Sequence, residues 1–457
     1  MPTKFSRLVS FTALLWLGTA ALSAQPAEPF RPDGQPDPDY AVPDELNLDY
    51  ALAFSLDNNH AIRQARERIR QQEGVLIEIR SAQIPNVTAG ANYTRNDDQV
   101  SQSVVPTDRS WGVNLQATQV VYAGGGVAAA VKSASLAKEA ALLDLQGIIN
   151  EQLLLVRTRF YAVLLTQQRI AVQEENVKLL EEQLKDVRNR FEAGAVSNFE
   201  VLRAEVALAN GRPALISARN AWRVSIEELR QVLGFVNAAG HNVAKVPDFV
   251  GSLEPGPAVG FDLRDALSAA RSQRPELRRL EKLEEAGLEQ VSVARSGYQP
   301  QVALFGRYDW LGAGTSGTSF RRDGWTAGVQ AQWNIFDGRA TAGRVAQTKS
   351  LLMQTRLAVE ESTLAIDVEV RRAHSALTEA WELVDASGKV VEQATEALRL
   401  ANVRYGAGTA TQLDVLTSQV ALTDARLNQL VAYYNYNVAL AAMRKAIGQA
   451  DPFVTRS

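Results

Sequence analysis

Two carboxylates stand where they could act as a matched pair. Glu200 and Asp414 lie 214 residues apart, and each follows a glycine, Gly194 or Gly408, by six residues. Two chemistries suit such a place. A carboxylate in the first turn of a helix is stabilised by the partial positive charge there and faces water. Alternatively it lines or latches the narrow end of a passage, where symmetry copies of Asp414 would gather negative charge and favour cations. The groups that usually do enzyme chemistry give less. There is no cysteine, which excludes disulfides, thiolate metal sites, a thiol nucleophile and a lipid anchor on an N-terminal cysteine. His60, His241 and His374 are scattered, and with only three methionines they suggest no transition-metal site. No glycine-rich phosphate loop and no nucleophile with a partner base stands out. The expectation is a protein that is not an enzyme and carries no cofactor and no metal.

The frame that would hold the two carboxylates alike is a duplication. Tyr122-Ala-Gly124 matches Phe336-Asp-Gly338, and Trp111 with Trp325, Gly194 with Gly408, Leu202 with Leu416 and Gly234 with Gly448 keep the offset of 214. Upstream, Pro85 with Pro300 and Tyr93 with Tyr308 are 215 apart, a one-residue length difference between two β-hairpins. The expected first repeat, 47–234, contains a helix (48–82), strands at 85–94 and 111–121, a long helix (127–191), a glycine turn and a return helix (199–233). The second, 261–448, contains a helix (262–296), strands at 300–310 and 325–336, a long helix (341–405), a turn and a return helix (413–447). Between them lies a Gly- and Pro-rich linker, 235–260, and a short tail follows at 449–457.

The strands alternate. Trp111, Val113, Leu115, Ala117 and Val121 fall on one face, and Gly112, Asn114, Gln116 and Thr118 on the other. Trp325, Ala327, Val329, Ala331, Trp333 and Ile335 likewise oppose Thr326, Gly328, Gln330, Gln332 and Asn334. About ten residues per strand, aromatics near the ends and a polar opposite face fit a membrane barrel. The polar stretches Asn96-Asp-Asp98 and Gly312 to Gly324 are expected to be loops. In the long helices, Val177, Leu180, Leu184, Val187 and Phe191 form a heptad seam repeated by Val391, Ala394, Leu398, Ala401 and Tyr405. Gly194 and Gly408 let the chain reverse, and Ser197 and Thr411 or Thr409 are the candidate caps of the return helices. Gly211 and Pro213 are expected to interrupt the first return helix, where their counterparts Ala425 and Leu427 do not.

Composition and the N-terminus set the compartment. The chain has 457 residues, 46% of them hydrophobic and 22% charged, with a net charge of −3, so it folds and offers no nucleic-acid footprint. Lys4 and Arg7 precede an apolar stretch from Leu8 to Leu22, and Ser23 and Ala24 follow, which predicts a signal peptide over 1–24. A proline-rich segment occupies 25–46. Four strands cannot close a barrel, and open edges facing lipid cost several kcal/mol per unsatisfied backbone group. Several chains must therefore contribute. Three would supply twelve strands, and two would supply eight.

Arg274-Pro-Glu-Leu277, Trp333-Asn-Ile-Phe-Asp-Gly338, Arg190-Phe-Glu-Ala-Gly194 with Ser197 and Val201-Leu202, and Arg404-Tyr-Gly-Ala-Gly408 with Asp414-Val-Leu416 occur in duplicated order. In these the chain resembles the TolC family of outer-membrane efflux proteins, over about 45–450. The resemblance implies an α+β, mostly α protomer that gives four strands to a trimeric twelve-stranded barrel and long coiled-coil helices to a periplasmic tunnel. It implies an outer-membrane location, a homotrimer, contact with outer-membrane lipid, a periplasmic adaptor and an inner-membrane transporter of RND, ABC or MFS type. The linker at 235–260 would join an equatorial collar. Gly194, Ala195, Ser197, Gly408, Thr409 and Thr411 would form the tip that meets the adaptor, and Glu200, Tyr405 and Asp414 the aperture. Some family members hold the tip shut with a tyrosine and an arginine; Tyr405 fits the tyrosine place, but Ala410 stands at the arginine place. The competing reading is an exported coiled-coil scaffold or adhesin without a pore, which leaves the amphipathic strands unexplained.

Overall fold

The structure, a computed structural model, describes residues 44–97, 108–234, 246–314 and 319–449. The expected signal peptide, nearly all of the proline-rich segment, Asp98, His241, much of the 235–260 linker and the tail beyond Gln449 lie outside the described residues. The chain divides into a larger unit, Glu45–Phe235 with Phe249–Ser457, and a smaller one, Met1–Asp44 with Val236–Asp248. Every element below belongs to the larger unit.

The single helix expected over 48–82 is two, α1 (Leu48–Asn58) and α2 (His60–Arg80). Asn59 breaks them: its backbone is extended, and its side-chain oxygen accepts from the N–H groups of Ala61 and Ile62 at 2.8 and 3.2 Å. The helix expected over 262–296 is also two, α5 (Leu263–Gln273) and α6 (Pro275–Ser296). Arg274 takes Asn59's place, and Pro275, which has no N–H to leave unsatisfied, starts α6.

The long strands are β1 (Asn86–Arg95), β2 (Arg109–Ala123), β3 (Gln301–Gly314) and β4 (Ser319–Gln332). They form one antiparallel sheet in chain order. The expected loop from Gly312 to Gly324 is mostly strand: Gly312 pairs with Arg321 and Gly314 with Ser319. Its polar composition concealed ladder pairing, which uses backbone groups and is indifferent to side-chain polarity. At the opposite end Trp333 to Phe336, expected as strand, lie outside the ladder, since β4 ends at Gln332 opposite Gln301. Pro300 precedes Gln301 and has no N–H to extend that ladder. The alternation holds to Val120. A bulge at Val121 then brings Tyr122 opposite Val302, so Tyr122 and not Val121 continues the apolar face. The indole of Trp111 lies across Gly312, with Nε1 2.3 Å from where a Cβ would stand, so only glycine fits that register.

Two rods of 67 residues follow the hairpins, α3 (Gly126–Glu192) and α7 (Ala340–Gly406), each about 100 Å long at 1.5 Å per residue. Their return helices are α4 (Asn198–Leu233) and α8 (Gln412–Ala446). Gly211 and Pro213 do not interrupt α4, which is helical throughout. Gly211 has a packing reason: a Cβ there would stand 2.9 Å from Leu180 Cδ1 of α3. The second repeat has Ala394 and Ala425 at the places of Leu180 and Gly211, so the same space is filled by a different division of volume.

One core packs α1 against α3 and α4 through Leu52, Leu153, Phe160 and Leu229, and another packs α5 and α6 against α7 and α8 through Leu277, Val370, Tyr436 and Met443. A third runs down α3 and α4 through Val177, Leu180, Leu184, Val187, Val201, Ala204 and Leu208. No described helix is long and apolar enough to cross a membrane.

Candidate functional site: the two helix turns

Each rod ends in the same backbone device. Gly194 and Gly408 take φ of +72° and +76°. The N–H of Gly194 donates to the Phe191 carbonyl at 2.9 Å and that of Ala195 to the Arg190 carbonyl at 2.8 Å. At the second turn Gly408 donates to Tyr405 at 3.1 Å and Thr409 to Arg404 at 2.9 Å. These are the paired bonds of a Schellman turn, which satisfies the last helical carbonyls and needs a residue tolerant of positive φ.

The return helices start differently. Thr411 caps α8: its Oγ1 accepts from Asp414 N–H at 3.3 Å, and Asp414 Oδ2 accepts from Thr411 N–H at 2.7 Å, a full capping box. The Thr411 backbone N–H, then its hydroxyl, hold the Asp414 carboxyl below the ordinary value. Thr409 is not the cap; its hydroxyl donates to the Arg404 carbonyl at 3.1 Å. Ser197 occupies the cap position of α4, but its side chain makes no capping bond. Serine with a glutamate three residues on has the composition of a capping box, but Glu200 Oε2 makes no hydrogen bond to the Ser197 backbone.

Glu200 and Tyr405 sit apart from this capping chemistry. Glu200 Oε2 and Tyr405 Oη are both enclosed and find no protein hydrogen-bond partner. The Arg190 guanidinium lies over the Tyr405 ring, 4.7 Å from its centroid, and Arg190 Nε contacts Asp186 Oδ2 at 2.8 Å. Burial pushes the Tyr405 phenol up; Arg190 opposes this, and Glu200 and Asp186 add to it. Three of the four groups, Asp186, Arg190 and Glu200, come from the first repeat, and Tyr405 from the second. The structure therefore brings Glu200 to Tyr405 and leaves Asp414 in its cap. Arg190 and Asp186 were missed in the sequence. The available signal was that Arg190 is the repeat counterpart of Arg404, one residue before Tyr405.

Among the described residues no group of histidine and carboxylate side chains could hold a metal ion. His374 Nε2 sits 3.1 Å from the Phe261 carbonyl, an internal structural contact.

The outer membrane efflux protein family profile matches the chain twice, over residues 52–235 and 266–449. Nodulation protein T of Rhizobium leguminosarum bv. trifolii is 25% identical over 407 residues, covering 86% of this chain and 83% of that protein. Outer membrane protein TolC of Vibrio cholerae serotype O1 is 24% identical over 379 residues, covering 81% of this chain and 83% of its own. Among solved structures, the Campylobacter jejuni CmeC outer membrane channel superposes with a TM-score of 0.74 at 15% identity, covering 90% of this chain and 88% of that one.

Proposed function

This chain belongs to the outer membrane efflux protein family, and from that premise we propose that three copies close one barrel and that the Gly194 and Gly408 turns form its periplasmic, gated end. The protein is an outer-membrane efflux channel, with the helical rods in the periplasm. The pore-less scaffold reading is not favoured. One observation carries the proposal of assembly. The four-stranded sheet has β1 and β4 at its edges with an apolar face that includes Trp111, Trp310 and Trp325. Such a sheet in lipid leaves edge N–H and C=O groups without partners, and copies related by rotation supply them.

Gating is assigned to Tyr405 and Glu200 with Asp186 and Arg190, and Asp414 contributes charge near the same aperture. The enclosed Tyr405 hydroxyl and Glu200 carboxylate oxygen are donor and acceptor that lack partners within one protomer. A neighbouring protomer's tip is the natural source of those partners, because a buried polar atom left alone costs about 1–3 kcal/mol. Ala195 and Thr409, exposed at the turns, are the surface offered to a periplasmic adaptor, which couples the duct to an inner-membrane transporter.

Planar-bilayer recording of the purified trimer tests this. Tyr405→Phe and Glu200→Gln are expected to raise mean conductance, and Asp414→Ala to weaken block by divalent cations. Wild-type conductance and block in all three would remove the aperture from these residues. Failure of the protein to form any conducting species would remove the barrel itself.

A further inference from the structure

The two hairpins match pair for pair. Tyr93 pairs with Trp111 in the first and Tyr308 with Trp325 in the second, and at the rod end Asn86 pairs with Thr118 and Gln301 with Gln332. The first strands are 215 residues apart and the second strands 214, the offsets of the sequence repeat. One joint within the protomer connects the hairpins, where β2 pairs with β3. It sets Leu115 opposite Tyr308 and Gln116 opposite Arg307 and, past the bulge at Val121, Tyr122 opposite Val302.

The hairpins differ in how far their second strands run. β1 begins at Asn86, opposite Thr118, yet β2 continues through Gln119 to Ala123. Those five residues are strand because β3 lies beside them and pairs with all but Val121. β4 stops at Gln332, the counterpart of Thr118, and no strand of its own protomer lies on its outer side. The residues that would continue it, Trp333 to Phe336, already follow the same course. The Trp333 indole N–H donates to the Tyr298 carbonyl at 3.1 Å, much as the Gln119 amide reaches the Ala82 carbonyl at 3.5 Å. Exposure divides the same way. Phe336 is 84% exposed against 46% for Tyr122, and Val329 66% against 46% for Leu115. On the opposite edge Val87 and Tyr93 are exposed, whereas their counterparts Val302 and Tyr308 are half-buried.

We propose that the joint between protomers repeats the joint within one. β4 pairs antiparallel with β1 of the next copy, with Val329 opposite the partner subunit's Tyr93 and Gln330 opposite the partner subunit's Asn92. This rests on the barrel reading above and adds its register. The pairing draws Trp333 to Phe336 into the ladder, with a bulge at Ile335 and Phe336 opposite the partner subunit's Val87. These four residues are strand only in the closed ring, where lipid leaves backbone groups no other partner. A slip of one residue would turn one apolar face inward. A slip of two would set Phe336 against the partner subunit's Pro85, which has no N–H to give, or Gly338, where φ is +65° and the chain turns into α7, against the partner subunit's Val87. The repetition ends where Ala327 meets the partner subunit's Arg95. Beyond it Trp325 finds Asp97 at the place where Trp111 has Gly312, so its indole cannot lie across the joint in the same way.

The chain has no cysteine, so pairs can be introduced into the full-length protein without background. The two positions of each pair lie on opposite edges of one sheet, so only neighbouring copies can join them. Val329→Cys with Tyr93→Cys and Gln330→Cys with Asn92→Cys carry the proposed register. Adjacent pairs alternate between the two spacings of an antiparallel ladder, and both spacings fall within disulfide reach. Val329→Cys with Ala91→Cys and Gln330→Cys with Thr94→Cys carry slips of two residues in either direction. After mild oxidation of the detergent-purified trimer, non-reducing electrophoresis should show covalent trimer forming at least about tenfold faster in the first two variants than in the last two. Hydrogen exchange of the wild-type trimer should protect amides 333–336 to within about tenfold of amides 119–122. Equal or faster crosslinking of a slipped pair, or no crosslinking of any pair in a conducting trimer, overturns the register while the barrel stands. Unprotected 333–336 amides in that trimer overturn the strand extension. A protein that stays monomeric and non-conducting overturns the barrel reading and the joint together.

Discussion

The two repeats share a backbone plan but bury their coiled-coil seams to different depths. On α3, Val177, Leu180, Leu184 and Val187 are buried, and the ion pairs Arg188–Glu205 and Arg219–Glu174 tie it to α4 at 2.6 and 2.7 Å. On α7 no residue beyond Ala380 is buried within the protomer, and the counterparts Val391, Ala394, Leu398 and Ala401 are only half-buried. The charged pairs there, Arg399 with Glu396 and Lys389 with Asp385, stay on α7 itself. Burial of apolar surface is the main stabilising term for a helix pair, and exposed ion pairs add little. Within one protomer α3 is flanked by both α4 and α8, whereas α7 at this height has α8 alone, so its remaining face is left for neighbouring protomers to cover. A gate needs one element that holds and one that can move, and local opening is easiest where buried contacts are fewest.

The largest expected effect lies at the breaks between α1 and α2 and between α5 and α6, where the repeats solve one problem with different chemistry. Asn59 donates to the Val232 carbonyl at 2.7 Å, and Arg274 donates to the equivalent Ala446 carbonyl at 3.3 Å while pairing with Glu369 at 2.9 Å. Burial pushes the Glu369 carboxyl up, but Arg274 and Lys445 outweigh it and hold it below the ordinary value. Arg274→Ala leaves that carboxylate with Lys445 alone and frees the Ala446 carbonyl, and should cost about 3 kcal/mol, the low end for a broken buried pair because Glu369 keeps one partner at 3.4 Å and is 39% exposed. Asn59→Ala should cost about 2 kcal/mol, an N-cap plus one bond to a carbonyl. Thermal melting of each variant trimer checks the order. If Asn59→Ala proved the more damaging, the second repeat would not depend on its buried charge.

Much of this contrast was readable from residue types, and its energetics were not. The offset of 214, the rods, the glycine turns and the alternating strands follow from periodicity and from residues with one conformational use. Thr411 is one of two candidate caps in the sequence, because a hydroxyl before a helix has a defined role. The burial difference between Leu184 and Leu398 could not be seen, since both are leucines at the same heptad place and their neighbours decide their exposure. The Arg190 stack on Tyr405 was hidden for a related reason: it joins the ends of two rods from different repeats, and sequence order carries no distance between them. Gly211 reads as a breaker in the sequence because a glycine's local preference is visible there and the leucine that fills its missing side chain is not.

A smaller effect separates those two leucines. Leu184→Ala should cost about 2 to 3 kcal/mol, as expected for a buried leucine truncated where the core cannot collapse. Leu398→Ala should cost the protomer less than about 1 kcal/mol, because water already reaches it. Hydrogen exchange along α3 and α7 reads both. Amides over 385–406 should exchange faster than those over 171–192 in the wild type, and Leu184→Ala should narrow the gap from the α3 side. Equal protection of the two stretches in the wild type would erase the proposed division between strut and moving part.

The smallest effect concerns how the return helices begin, and here the asymmetry runs the other way. The second repeat has the complete capping box, and Ser197 in the first makes no side-chain capping bond. Thr411→Ala should cost about 1 kcal/mol and Ser197→Ala a few tenths at most. Acidity provides a second handle. The folded Asp414 carboxyl is held below its ordinary value by the Thr411 N–H and hydroxyl. Its contribution is therefore complete above the unfolded carboxylate's value of about 3.9 and is lost as the pH falls through the lowered folded value. Between neutral pH and about 5 the start of α8 should be unchanged, and below about 4 its first-turn amides should lose protection before those of α4. Asp414→Asn should abolish that pH dependence. If α4 frayed first on acidification, the box would not be what steadies the second turn, and the mobility of α7 would have to be balanced by contacts from neighbouring protomers alone.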